Sequence, residues 1–329
     1  MKDTLSDRIR RGDTIDPPLS WLLSGATIFT RAGMGIRRMR PFAAVDADVI
    51  SIGNITAGGT GKTPAVIRYA KRGVAAGVKV GVLTRGHGTR QSSSVVVSSD
   101  IEPEDHFRLL GDEPALILRK VPEALVFKGK DRVQSAQIAV QDHGCQVLIL
   151  DDGYQYIHLG RNDDILMIDS TNPFGNGRLL PRGFLREPLS DICRATHCIV
   201  TRCDEGLDRS EISETVQRYN PGCAIEWTVH SPTALIHADT DVEQSLDLFS
   251  GKDVIAACAI GNPESFTKTL ESLGMNVIES HAFADHERIP QNVLKSSHPA
   301  IITEKDAVRI QSPPDNVFAV GIELETLPD

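Results

Sequence analysis

Short continuous apolar runs that end in polar or glycine-rich turns recur along the first two thirds of the chain. They are VISIGN (49–54), VGVLTRG (80–86), QVLILDDG (146–153), ILMIDS (165–170) and HCIVTRCD (197–204). Segments with helical patterning separate several of them, at 64–76, 111–120 and 129–142. Runs of this length without alternation read as strands covered on both faces. Their alternation with helices predicts an α/β fold, a mostly parallel sheet flanked by helices, whose ligands gather at the carboxyl ends of the strands. After a polar bridge near 228–248 the pattern restarts in DVIAACAIGNPESFTKTLESLGMNVIES, read as a strand, a helix closed by Gly274 and another strand. That restart predicts a second, smaller α/β lobe. With 329 residues to place, we expect an N-terminal segment at 1–40, a core domain at 41–228 and the smaller lobe at 229–329. No internal repeat interrupts this plan.

The segment before the first strand differs from the rest. Within it, PLSWLLSGATIFTRAGMGIRRMRP sets Trp21, Leu22, Leu23, Ile28, Phe29, Met34 and Ile36 among small residues and closes on Arg37, Arg38 and Arg40. Arg31 and three glycines break it, which argues against a membrane span. Lying in the interface of an anionic leaflet suits it, apolar side chains down and arginines toward headgroups; an amphipathic helix packed on the domain fits the same pattern. Charge supports treating it apart. The chain carries a net −9, yet eight cations in residues 1–40 face four anions, a local +4 that leaves −13 for the remainder. An acidic body of this kind points away from nucleic acid, and no obligate protein partner is implied. Apolar content of 40% and charged content of 24% exclude disordered and collagen-like classes. Six scattered cysteines without a secretory signal or CxxC spacing are expected to be reduced, buried, small apolar side chains.

The strongest chemistry lies at 48–73, where an apolar strand runs into Thr56-Ala57-Gly58-Gly59-Thr60-Gly61-Lys62-Thr63 and a helix opens. Successive backbone N–H groups and the positive end of a helix make such a loop an anion cradle. Lys62 is placed to reach β- and γ-phosphates and the Thr63 hydroxyl to ligate Mg²⁺. Pro64 suits a first helical turn. The strict phosphate-loop pattern wants glycine where Thr56 stands.

QVLILDDG delivers Asp151 and Asp152 at the end of a strand, as a metal-side carboxylate requires, although paired acids also occur in plain turns. Gly111-Asp112-Glu113-Pro114 opens a helical stretch; its carboxylates fit a capped helix start and equally fit the base that phosphoryl transfer to an alcohol needs. GRLLPRGFLREP (177–188) concentrates Arg178, Arg182 and Arg186 with Glu187, a cationic loop suited to clamping phosphate. In the second lobe FADHERI places Asp285 and His286 in a loop, where His286 needs a partner from the other lobe to act.

GNITAGGTGKTP, LTRGHG, GDEP, DDGYQ, GRLLPRGFLREPLS, ADHERI and ITEKDA, in this order across 52–306, closely resemble the tetraacyldisaccharide 4'-kinase family of lipid A biosynthesis. Thr56 resembles the family's own form of the loop; Tyr154 stands where phenylalanine is common, and Glu287 where a second histidine is often seen. The resemblance implies a P-loop NTPase-type kinase that takes ATP and Mg²⁺. It would phosphorylate the 4'-hydroxyl of a lipid disaccharide 1-phosphate at the cytoplasmic face of the inner membrane. It makes Lys62 and Thr63 the holders of phosphate and metal, and Asp151 and Asp152 the metal-side carboxylates. Asp112 becomes the base, with His286 assisting it across the cleft from the opposite lobe. Glu113 and Glu187 become metal or network support, and Arg132 and Arg186 nucleotide or substrate phosphate contacts. A nucleotide-switched ATPase of assembly or metal delivery would share the loop without an acceptor-site base, and a membrane adaptor would need only the N-terminal segment.

Overall fold

The computed structural model describes residues 16–38, 41–85, 94–204, 208–285 and 287–328. The chain forms two compact units, each discontinuous in sequence. The first comprises Met1–Arg85, Glu123–Val229 and Thr326–Asp329, the second Gly86–Pro122 and His230–Glu325. The sequence expectation placed 86–122 in the core domain, whereas these residues group with the second unit. The helix Asp112–Lys120 explains why: its buried Leu116, Ile117 and Leu118 mark it as a core element, and its Lys120 ammonium is ion-paired to Glu304, far along the chain.

Among the described residues the strands of the first unit are β1 (Asp48–Gly53), β2 (Val80–Thr84), β3 (Leu125–Lys128), β4 (Val147–Asp151), β5 (Asp163–Asp169), β6 (His197–Thr201) and the beginning of β7 (Ala224–His237), whose residues from His230 on belong to the second unit. They lie in the order β3-β2-β4-β1-β5-β6-β7, every neighbouring pair parallel. The expectation of a parallel sheet therefore holds. β1 and β5 begin on an exposed aspartate, Asp48 and Asp163, and then run into the core. Burial on both faces explains why these strands read as unbroken apolar runs. The helix Lys62–Ala75 buries Ala65, Val66, Ile67 and Ala70, and Arg132–Gln141 starts from Asp131, whose carboxylate accepts the N–H groups of Val133 and Gln134.

In the second unit β8 (Asp253–Cys258), β9 (Asn276–Ala282), β10 (Ala300–Thr303) and β11 (Val317–Thr326) follow the order β9-β8-β10-β11, parallel throughout. The helix Pro263–Ser272 joins β8 to β9, and Gly274 follows it at a φ of 79°. The bridge expected near 228–248 is corrected by the structure: β7 runs on to His237. Its Ala234 and Ile236 enter one apolar cluster and Leu235 another, the alternation of a strand with two covered faces. Polar His230, Ser231 and Thr233 dilute that signal in the sequence.

The described part of the N-terminal segment is helical over Pro17–Arg38; its glycines do not break the helix. Thr30 Oγ1 donates to the Leu180 carbonyl at 2.8 Å and Met34 packs on the core of the first unit. Another face holds Trp21, Leu22, Ile28 and Ile36, 63–74% exposed. Among the described residues no helix is long and apolar enough to cross a membrane. The side chains of Arg31, Arg37, Arg38 and Arg40 lie outside what is described. Of the cysteines, Cys145, Cys198, Cys223 and Cys258 are buried as expected, but Cys203 is only partly covered and Cys193 is exposed.

Candidate active site

Because β1 pairs with β4, the turn after each lies beside the other although about a hundred residues separate them. Gly53 permits the close approach: a Cβ there would stand 2.5 Å from the Tyr154 backbone nitrogen. The loop then turns through Gly58 (φ 110°) and Gly61 (φ 74°) into the helix at Lys62, conformations that glycine adopts without steric cost.

Lys62 Nζ lies 3.4 Å from Asp152 Oδ1 and donates to Asn54 Oδ1 at 3.3 Å. Asn54 is fully buried and turns its Nδ2 toward Thr56 Oγ1 and the Gly58 carbonyl, while Gln155 Nε2 donates to its carbonyl at 2.7 Å. Arg186 Nη1 donates to both Asp152 oxygens, at 3.0 and 2.9 Å. Burial pushes the Asp152 carboxyl up, but Lys62 and Arg186 outweigh it and hold the group below the usual carboxylate range. Asp151, buried at the end of β4, accepts the Thr84 hydroxyl at 3.2 Å. Arg132 is buried and its Nη1 donates to the Gly129 carbonyl; burial lowers its pKa against the pull of Asp151. Thr201 Oγ1 donates to the Thr60 carbonyl at 3.3 Å, and Thr60 Oγ1 is buried with no hydrogen-bond partner among the described residues.

Where the strict pattern has glycine, Thr56 is part of a short antiparallel ladder. Ala57 N–H donates to the Phe184 carbonyl (2.7 Å), Arg186 N–H to the Ile55 carbonyl (2.6 Å), and Thr56 bridges Leu185. The stretch 177–188 is thus a strap that braces the incoming limb of the loop, a role that sequence reading missed because backbone pairing leaves no residue signature. Only Arg186 of its arginines reaches Asp152; Arg178 is exposed. Glu187 is buried and accepts Arg194 Nη2 at 2.7 Å. Arg194 also lies 4.2 Å over the Tyr154 ring, and Tyr154 donates its hydroxyl to the Asp191 carbonyl at 2.8 Å, a bond that phenylalanine cannot make.

In the second unit the Asp112 carboxylate is buried, accepts the Glu113 N–H at 3.0 Å and is ion-paired to Arg309. Lys305 Nζ stands 3.9 Å from Asp112, 3.7 Å from Glu113 and 3.3 Å from Asp285. Asp112, Glu113 and Asp285 therefore share one cationic partner and fall in one unit, which corrects the expectation that Asp112 and the loop of Asp285 belong to opposite lobes. His286 lies outside the described residues.

A parallel sheet whose first strand ends in a glycine loop, with lysine and threonine opening the helix beyond it and an aspartate ending the adjacent strand, defines a P-loop-type phosphotransferase scaffold. Three comparisons narrow the class. The family model for tetraacyldisaccharide-1-P 4'-kinase matches residues 15–329. The tetraacyldisaccharide 4'-kinase of Anaeromyxobacter dehalogenans is 37% identical over 307 residues, covering 90% of this chain and 81% of the relative. That of Syntrophus aciditrophicus is 36% identical over 321 residues, 89% and 85% respectively. A crystal structure of LpxK from Aquifex aeolicus in complex with ATP superposes with a TM-score of 0.75 at 27% identity, covering 94% of this chain and 93% of that one. The chain belongs to the tetraacyldisaccharide-1-P 4'-kinase family.

Proposed function

We propose that this protein is the ATP-dependent kinase its family membership indicates, transferring the γ-phosphoryl of ATP to the 4'-hydroxyl of a tetraacyldisaccharide 1-phosphate in lipid A biosynthesis. The observation that carries the reading is the braced loop 56–63, with Lys62 held between Asn54 and Asp152 at its mouth. A lysine that leaves one carboxylate for a triphosphate exchanges one ion pair for another, so nucleotide binding need not expose a bare charge. Arg186 keeps Asp152 paired during that exchange. The Thr60 hydroxyl, without a hydrogen-bond partner among the described residues, supplies a further donor at the loop.

Mg²⁺ suits the donors present. Thr63 and Asp151 are hard oxygen ligands, and this ion needs only one or two protein ligands when phosphate oxygens and water complete its shell. Bound there, it would neutralise charge on the transferred phosphoryl group. Asp152 and Glu187, already paired with Lys62, Arg186 and Arg194, fit support of the network better than direct ligation. Arg132, near Asp151, is assigned to nucleotide phosphate. On the acceptor side Asp112 takes the hydroxyl proton, with His286 as its assistant. What supports this pairing is the ion-pair reach of Lys305 to both Asp112 and Asp285, the residue before His286.

The acceptor carries four acyl chains, so the enzyme must meet it at a lipid surface. The exposed apolar face of Pro17–Arg38 is assigned to that contact, at the cytoplasmic face of the inner membrane. ATP consumption measured with and without the lipid disaccharide acceptor tests the whole reading: a kinase depends on acceptor, whereas a nucleotide-switched ATPase hydrolyses alone and an adaptor does neither.

A further inference from the structure

The helix Asp112–Lys120 is fastened at both ends to the segment 304–309 of its own unit, by Lys120 to Glu304 and by Asp112 to Arg309. Arg309 is buried and sits between two buried carboxylates. Its Nη1 donates to Asp306 Oδ1 at 2.8 Å and its Nη2 to Asp112 Oδ2. Asp306 is itself immobilised, since its Oδ2 accepts the Thr303 hydroxyl at 2.7 Å and the Ala259 N–H at 3.1 Å. The guanidinium is thus a fixed fork. One tine is anchored on Asp306, and the other sets the rotation of the Asp112 carboxylate 197 residues away in sequence. Lys305, with Glu113 and Asp285 as competing partners, lacks that rigidity.

We propose that Arg309 is the positioning residue of Asp112. It orients the carboxylate through a planar forked donor, so that Asp112 meets the acceptor hydroxyl in one geometry. A base must lie within hydrogen-bond reach of the proton it removes, and misplacement by an ångström is enough to lose two orders of magnitude in rate. The proposal rests on the reading of Asp112 as the acceptor-side base.

The experiment uses the full chain with ATP and the tetraacyldisaccharide 1-phosphate in mixed micelles, with kcat, KM for ATP and Tm read for each variant. Arg309→Met is expected to lower kcat by ~10–100-fold with KM for ATP within about twofold. Arg309→Lys, which restores the charge without the fork, should recover part of that loss. Because Arg309→Met removes the buried cation between Asp306 and Asp112, it will also lower Tm. Asp306→Asn added to Arg309→Met removes one of those charges and should return most of the Tm while kcat stays low. Recovery of kcat together with Tm in that double variant, or a parental kcat in Arg309→Met, overturns the proposal and leaves Arg309 a purely structural residue. If Arg309→Met does not fold, parental kcat in Arg309→Lys together with parental kcat in the double variant overturns it equally. Asp112→Asn separates the two levels. Parental turnover there overturns the base assignment and this proposal with it, whereas an inactive Asp112→Asn beside a parental-rate Arg309→Met overturns only the role of Arg309. In the Asp112→Asn background, Arg309→Met should cause no further loss.

Discussion

Lys62 meets two oxygen partners of different kinds, and the difference matters for what each variant does. Asp152 holds it by charge, and Asn54 holds it by a side chain with no exposure that also touches the glycine turn. On the proposed role of Lys62 at the transferring phosphoryl, Lys62→Ala should lower turnover by about 3–4 kcal/mol of transition-state stabilisation, read as kcat at saturating ATP; a rate within twofold of the parent removes the loop from the mechanism. Asn54→Ala acts earlier. It frees the lysine and loosens the turn around Gly58, so ATP affinity should weaken by roughly 1–2 kcal/mol, the size of a buried hydrogen bond left unmade. Calorimetric titration of ATP checks this, and an unchanged Kd shows that Asn54 only fills space.

Two elements flank the loop without belonging to it. The strap at 177–188 pairs with Ile55–Ala57 through its backbone and buries Leu185 in the core that also holds Ile55, Tyr154 and Leu179. Leu185→Ala should therefore cost ~2–5 kcal/mol in stability and also raise KM for ATP. Leu270→Ala, a comparable cavity in the core of the second unit, should lower Tm with KM for ATP unchanged, and a matching rise in both variants makes the strap an ordinary packing element. The helix Pro17–Arg38 is divided between Thr30 and Met34, which face the unit, and Trp21 and Leu22, which face outward. Each outward side chain brings ~1.5–3 kcal/mol when it leaves water. Trp21→Glu with Leu22→Glu should release the protein from anionic vesicles in a flotation assay with ATP binding intact; equal flotation removes this face from the membrane contact.

At the scale of the whole molecule the returning chain end is tied down electrostatically. Glu226 on β7 accepts two bonds from Arg68, at 2.6 and 2.7 Å, faces His197 Nε2 at 3.2 Å and accepts the Thr326 hydroxyl. The His197 bond first, and Arg68 and Thr326 after it, draw the Glu226 carboxyl down to about 2 against the opposing effect of burial. A carboxyl lowered in the folded state contributes stability above its unfolded pKa and loses it as pH falls through the folded value. The contribution, ~2–3 kcal/mol, is thus complete above about pH 4.5 and gone near pH 2. Glu226→Gln should unfold at a lower temperature than the parent at pH 7, with the two melting curves converging as pH falls through that window. A constant difference across pH assigns the cost to packing instead.

The strands, the loop and Asp151 were readable because each is written within a few consecutive residues: an apolar run with both faces covered, glycines before lysine and threonine, an acid at a strand end. Gly274 after its helix was readable for the same reason. Strand order, the brace of 184–186 on 55–57, the grouping of 86–122 with the second unit and the fork of Arg309 on Asp112 all join residues distant in sequence, and their partners carry no shared period or spacing. Asn54 and Gln155 fall in the same class, being ordinary polar residues until the turns after β1 and β4 meet. Local chemistry by itself determined most of the strands and helices and the glycine loop that opens the helix at Lys62. Only tertiary structure decided which charges are paired and which backbone braces the loop, because those choices follow from burial and from which groups are brought within hydrogen-bond reach when the sheets assemble.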